Sequence, residues 1–296
     1  ESRVHKIKRA VDCVMGLFPF EAPVFAKYHV PYQFVGHPMA DAIALKPDQE
    51  KARTTLKLHA DATVVAILPG SRSSEVQHLL PIFLASFALM QARHPELVGI
   101  VPAVNAARES QINQLLASYP DSLQSALIIT RRPAREVMIA SDAVLLSSGA
   151  ATLEAMLCKR PMLSVYKMSG LTYKMMQHLY KPDYFSLPNI LANEALVPEL
   201  LQDDVTPEAI SAYMNDLIAL DLSITQVAGV VSNTHSTTIP DSTITRLPVL
   251  SKGSCLFAID QDRLAYIMQR FTQLHITLQQ NADEQSADVV TRYLLK

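Results

Sequence analysis

The sequence predicts an α/β fold built on a doubly wound parallel sheet, and three observations carry that prediction. Short, nearly all-apolar runs recur from Thr63 onward, helix-period segments with readable start and stop residues lie between them, and the chain is long enough to enclose a large core. The runs are 63–68, 99–104, 126–130, 143–147 and 162–166. Their lack of polar alternation fits strands covered on both faces. Ser74 followed by Gln77 is spaced as a capping box at the head of a helix running toward Arg93. Pro133 stands where the next helix would have its first residue, and Pro161 stops the helix that carries Glu154. Ligands of such sheets bind beyond the carboxyl ends of the strands.

Ahead of this unit, 11–18, 21–28 and 32–35 read as strand, helix and strand, and 42–57 as a polar connection. Behind it, Pro207 opens a helix that ends near Leu220. Residues 221–260 hold twelve Ser and Thr, two prolines and few charges, which predicts a long loop or small hairpin insertion. Two helices follow over 262–279 and 282–295, the second opened by Asn281 and Glu284 at capping spacing. The expected units are therefore 1–45, 46–220, 221–260 and 261–296.

Composition narrows the function. The 296 residues are 49% hydrophobic and 18% charged, with 26 Lys and Arg against 28 Asp and Glu, a globular and near-neutral balance that argues against disorder and against nucleic acid as a partner. Cys13, Cys158 and Cys255 match neither a disulfide framework nor a zinc spacing, and favour a reducing, cytoplasmic compartment. The basic start through Arg9 resembles the head of a signal peptide, but Asp12 and Pro19 break the apolar stretch behind it. No run reaches the ~18 apolar residues of a membrane span.

Two loops could carry chemistry. In LPGSRSSE, 68–75, Gly70, Ser71 and Arg72 lie between a strand and a helix N-terminus, where free amides and the helix dipole favour an anion and a guanidinium adds a fork of donors. Neither the Walker nor the dinucleotide fingerprint is present, and an ordinary turn with a solvated arginine reads equally well. In LLSSGAATLEAMLCKRP, 145–161, Ser148, Gly149, Ala150 and Ala151 would let a phosphate approach the backbone, with Glu154 one turn on for ribose hydroxyls. The alternative is a tight turn whose glutamate only offsets the helix dipole. The amides Asn189, Asn193 and Gln202 lie in a stretch that reads as strand-like and then turn-rich, and they suit hydroxyl recognition and turns alike. His37 reads as a turn residue beside Pro38, Asp41 and Asp142 as capping or turn residues, and 170–184 as a core-facing helix in preference to a lipid-facing surface.

Taken together, LFPFE at 17–21, FVGHPMAD at 34–41, ILPGSRSSEV at 67–76, VPAVN at 101–105, SDAVLLSSGAATLEAMLCKRPM at 141–162, YFSLPNILA at 184–192, VPELLQ at 197–202 and NADEQSA at 281–287 closely resemble the bacterial lipid-A-disaccharide synthases. The resemblance runs in order along nearly the whole chain except 221–260. It implies a GT-B glycosyltransferase with two Rossmann-like domains, this chain holding the C-terminal donor domain and a remnant of the N-terminal acceptor domain. The implied reaction is metal-free and cofactor-free: 2,3-diacylglucosamine passes from UDP to 2,3-diacylglucosamine 1-phosphate, lipid X, with inversion, giving a β(1→6) disaccharide and UDP. On that likeness Arg72 would meet the donor phosphates, the backbone of Gly149, Ala150 and Ala151 the pyrophosphate, Glu154 the ribose, and the loop from Arg131 to Arg135 the uracil. Gly70, Ser71, Ser148, Asn189 and Gln202 would lie near the donor. The catalytic base is expected in an acceptor domain whose larger part precedes this chain. At Asn193, Glu194 and Ala195 the sequence departs from the family pattern, so contacts of that trio do not carry over. The likeness further implies a cytoplasmic enzyme peripheral to the inner membrane, able to form a homodimer by exchanging C-terminal elements such as 262–296. A non-catalytic nucleotide-sugar-binding module remains the competing reading.

Overall fold

In a computed structural model, residues 2–167, 183–220 and 254–295 are described. Most of the predicted helix at 170–184 and most of the predicted insertion at 221–260 lie outside them. The chain begins with helix α1 (Ser2–Ala10), then strand β1 (Val14–Gly16), a 3-10 turn (Pro19–Glu21), α2 (Ala22–Lys27) and β2 (Tyr32–Phe34). The expected strand at 11–18 is thus only three residues long. Its front is taken by the helix, which Val11 N–H extends by bonding to the Ile7 carbonyl at 3.1 Å, and its end by Pro19, which starts the 3-10 turn. β1 and β2 pair in parallel, with Val14 opposite Tyr32. The polar connection predicted at 42–57 is instead largely helical: α3 (Pro38–Ala42) leads into it and α4 (Gln49–Thr55) occupies it. Asp48 caps α4, its carboxylate accepting from Lys51 N at 2.9 Å.

A six-stranded parallel sheet follows, made of β3 (Val64–Leu68), β4 (Val98–Pro102), β5 (Leu127–Thr130), β6 (Ala143–Ser147), β7 (Met162–Tyr166) and β8 (Glu199–Leu201), in the order β5-β4-β3-β6-β7-β8. Chain order therefore reverses between β3 and β6, which places a topological switch point there. Alternate residues of the strands serve opposite cores. Val65, Ile67, Ala143, Leu145, Leu163 and Val165 face one apolar cluster, with α5 (Ser73–Gln91), α6 (Ala106–Leu116) and α11 (Pro207–Ile218). Val64, Ala66, Leu68, Val144, Leu146 and Met162 face the other, with α8 (Ala134–Ala140), α9 (Ala150–Leu157) and α12 (Gln261–Leu278). This two-sided burial is why the strand sequences show no polar alternation. The predicted doubly wound α/β class is the one observed.

The helix after β3 opens at Ser73, with Arg72 as N-cap and Glu75 as the residue that reaches back, so the predicted Ser74–Gln77 pair lies two residues too late. Pro133 is the N-cap of α8 and not its first residue. Helix α7 (Asp121–Ser125) leads into β5. The stretch after Tyr184, read as strand-like, forms α10 (Leu187–Ala192) before β8, with Pro188 in its first turn. Helix α13 (Ala282–Leu294) ends the description. Its N-cap, Asn281, lies at φ +55° and makes no side-chain cap; Asp41 does so from 240 residues away, accepting Asn281 N at 3.0 Å and Ala282 N at 2.6 Å. His37 N donates to the Leu278 carbonyl at 2.9 Å, so the N-terminal unit and the end of α12 are bonded directly.

Candidate functional site

A cleft of about 620 Å³ opens at the carboxyl ends of β3, β4, β5 and β6, astride the switch point. The loop after β3 supplies Gly70, Ser71, Arg72 and Glu75; β4 supplies Pro102, Ala103 and Val104; the loop after β5 supplies Arg131, Arg132, Pro133 and Ala134. Ser147, Ser148, Gly149, Ala150, Ala151 and Glu154 form the wall after β6, and Met39 of α3 closes one side. Both predicted loops therefore line a single cleft, as topology requires of the βα connections that follow the two strands adjacent at a switch point.

Each wall has its own local reason. Gly70 lies at φ +121°, and a Cβ there would stand 2.5 Å from Glu75 Oε2. The position therefore excludes any side chain on both backbone and steric grounds. Glu75 Oε2 accepts Ser71 N–H at 2.9 Å and Arg72 N–H at 3.1 Å, while Oε1 pairs with Arg72 Nη1 at 3.0 Å. On the opposite wall Gly149 lies at φ +151° with nothing within 4 Å of a would-be Cβ, so the space before the first turn of α9 is open. Thr152 Oγ1 donates to the Gly149 carbonyl at 2.7 Å and accepts Leu187 N–H at 3.2 Å, which locks the turn to α10. Ser148 Oγ donates to the Phe185 carbonyl at 3.2 Å. Glu154 Oε1 meets Arg135 Nε at 3.2 Å, and Arg131 Nε meets Glu109 Oε2 at 3.3 Å. The arrangement offers a helix N-terminus and several guanidinium groups to an anion, and an apolar wall of Pro102, Ala103 and exposed Val104 to a flat group.

Two predicted site residues are elsewhere. Asn189 is fully buried and does not line the cleft: its Oδ1 accepts Leu196 N at 2.9 Å and Val197 N at 2.7 Å, and its Nδ2 donates to the Val197 carbonyl at 2.7 Å and to Glu199 Oε1 at 2.8 Å. Burial pushes the Glu199 carboxyl up, against the bonds from Ser186, Phe185 and Asn189 that favour its charge. Gln202 is also buried, in the 3-10 turn after β8 at φ +50°, and does not line the cleft. Glu194, in the departing trio, binds Arg270 Nε at 2.6 Å and Tyr266 OH at 2.9 Å. His37 is the N-cap of α3, its Nδ1 accepting Met39 N–H at 3.2 Å, and burial lowers its pKa while Asp41 opposes that shift. Asp142 lies at the amino ends of the strands, bound by Arg53 Nη2 at 2.8 Å and by Val64 N–H at 2.8 Å. Sequence reasoning missed Glu75 and Val104; the signal for Glu75 was its spacing three residues after Arg72. Among the described residues no three His, Cys, Asp or Glu side chains form a metal-binding group, and no helix is long and apolar enough to cross a membrane.

Comparison with known proteins gives a concordant result. A lipid-A-disaccharide synthase from Alteromonas mediterranea is 43% identical over 295 residues, covering 99% of this chain and 66% of that protein. One from Hahella chejuensis is 48% identical over 207 residues, covering 70% of this chain and 52% of that protein. The chain thus spans about two thirds or less of the length of these curated relatives. Among solved structures, the wall teichoic acid polymerase TagF matches 98% of this chain and 61% of its own with a TM-score of 0.51 at 11% identity, a likeness of fold alone. The family model described as lipid-A-disaccharide synthetase matches residues 1–236, which include the whole cleft, and on that match and these identities the chain belongs to the lipid-A-disaccharide synthetase family.

Proposed function

We propose that this chain provides the UDP-sugar half of a glycosyltransferase that moves 2,3-diacylglucosamine from UDP to lipid X with inversion. The observation that supports it most is the convergence of the two βα loops on one cleft at the β3/β6 switch point. In this reading 46–220 is the donor domain, 1–45 belongs to the acceptor side, and 261–296 straps the two together through His37 and Asp41. The uracil lies along Val104 and the loop from Arg131 to Arg135, the ribose is held by Glu154, and the diphosphate lies before Gly149, Ala150 and Ala151.

Charge develops on the departing UDP as the glycosidic bond breaks. Fixed amide dipoles at the N-terminus of α9, with the Arg72 guanidinium across the cleft, are arranged to stabilise that charge without reorganisation. An inverting transfer also needs a base for the acceptor hydroxyl. The two carboxylates of the cleft are already engaged, Glu75 by the loop amides and Arg72, Glu154 by Arg135. The base is therefore assigned to the part of the relatives' length that this chain does not span.

Calorimetric titration of the 296-residue chain with UDP tests the proposal. Micromolar affinity, about −8 kcal/mol, that weakens in both Arg72→Ala and Glu154→Ala is expected. A folded chain that does not bind UDP, or variants that bind as well as the parent, would overturn it. Peripheral attachment to a membrane is part of the same proposal: exposed Val11, Met15, Leu17, Phe20 and Val24 share the N-terminal unit with the basic helix α1.

A further inference from the structure

Among the helix N-termini at the cleft, those of α5 and α9 face each other's loops and are not equivalent. Before α9, Gly149 at φ +151° has open space in front of it, and among the described residues no carboxylate bonds to the amides of Ala150 or Ala151. Before α5, the place an anion would take is filled from within the chain. One oxygen of Glu75 accepts both Ser71 N–H and Arg72 N–H, at 2.9 and 3.1 Å, and the other holds Arg72 Nη1 at 3.0 Å. The closeness of Glu75 to Gly70 makes the fit specific, since a Cβ on that glycine would stand 2.6 Å from Glu75 Cβ. The loop is further tied down beyond Arg72, where Gln111 Nε2 donates to the Ser73 carbonyl at 3.0 Å.

From this asymmetry we infer that Glu75 is a positioning residue of the donor site: its carboxylate closes the Gly70–Arg72 loop from inside, leaves α9 as the helix terminus open to the diphosphate, and presents the Arg72 guanidinium across the cleft. The inference rests on the UDP-binding reading and deepens it. Arg72 is 81% exposed, so its ion pair with Glu75 is weak in itself, and the two amide bonds are what fix the loop. An arginine has five donors, so one bond to Glu75 leaves the rest of the fork for phosphate oxygens. Glu75 acts through the backbone of Ser71 and Arg72, whose N–H groups its carboxylate holds.

Two readouts test this role, and the second separates it from a merely structural one. The first needs no ligand: amide hydrogen exchange at Ser71 and Arg72 in the unliganded chain. Both amides are expected to be protected in the parent and in Glu75→Gln, whose amide oxygen still accepts, and to exchange freely in Glu75→Ala. Free exchange in the folded parent would overturn the inference. The second is UDP titration. Glu75→Ala is expected to weaken binding about tenfold and Glu75→Gln less than about threefold, while Arg72→Ala/Glu75→Ala is no weaker than Arg72→Ala alone. Tighter binding by Glu75→Ala would mean that the carboxylate obstructs the anion, and would overturn the inference. A folded parent that binds no UDP would overturn the donor-site reading instead, with the exchange measurement still deciding whether Glu75 closes the loop.

Discussion

The Asn189 amide shows how one side chain can do a backbone's work. It satisfies two N–H groups and a carbonyl of the 196–197 turn and reaches Glu199 as well, all out of water. Asn189→Ala would leave the buried Val197 N–H without its acceptor and Leu196 N–H with the Glu194 carbonyl alone, so a loss of roughly 1–3 kcal/mol in urea-denaturation stability is expected, with UDP affinity of the folded protein unchanged. The same chemistry explains why the residue was misplaced from sequence: an amide that suits a hydroxyl suits a turn equally. Arg72 and Glu154 were legible because they flank small-residue turns between a strand and a helix, a context with few other uses. The buried pair Lys159 and His275 left no trace of pairing in the sequence. Lys159 Nζ donates to the Leu157 carbonyl at 3.0 Å and to His275 Nδ1 at 2.6 Å, and His275 Nε2 donates to the Ala40 carbonyl at 2.9 Å. Burial lowers the lysine to about 7 and the histidine to about 4, the ammonium adding to the second shift. Between pH 7 and 9 the unfolded chain holds a proton on Lys159 that the folded chain has released, so stability rises with pH there, by up to about 1.4 kcal/mol per unit. Between pH 4 and 6.5 His275 gives a slope of the same sign. Lys159→Met is expected to abolish the upper slope in pH-dependent unfolding and to narrow the lower one, since the ammonium's share of the His275 shift goes with it.

At the scale of elements, burial decides what could be read. The central strands announced themselves because both faces are covered, which leaves uninterrupted apolar runs. Helix α4 did not, because Gln49–Thr55 has no apolar face and is held by polar contacts: Arg53 to Asp142, and Gln49 Nε2 to the Ser141 carbonyl at 3.1 Å. Helix α10 was hidden by its leucine-proline start, and β1 by apolar neighbours on both sides that belong to other elements. Helix α13 depends on a cap from a distant part of the chain. Asp41→Ala is expected to cost about 1 kcal/mol and to raise amide exchange at Asn281 and Ala282 before it affects the sheet.

On the scale of the whole molecule, the sheet's strand order fixes where a ligand can sit, and sequence gave no direct access to that order. Only the adjacency of β3 and β6 brings the two loops to one opening. The basic α1 and the apolar residues after it lead to an expectation for the intact particle: cosedimentation with vesicles containing anionic lipid that weakens as salt is raised and weakens further in Leu17→Asp/Phe20→Asp. Equal binding to neutral vesicles at all salt concentrations would count against an electrostatic component. The bonds from His37 to Leu278 and from Asp41 to residues 281 and 282 also impose an order of events during synthesis. The parallel sheet ends at Leu201 and has all its strands once that residue has left the ribosome, whereas the joint beside it lacks half of its partners until translation has passed Ala282. The N-terminal unit of the nascent chain therefore stays unfastened for several seconds after the last strand is made, at about 5–20 residues per second, and α12, which covers one face of the sheet, is added only toward the end of that interval.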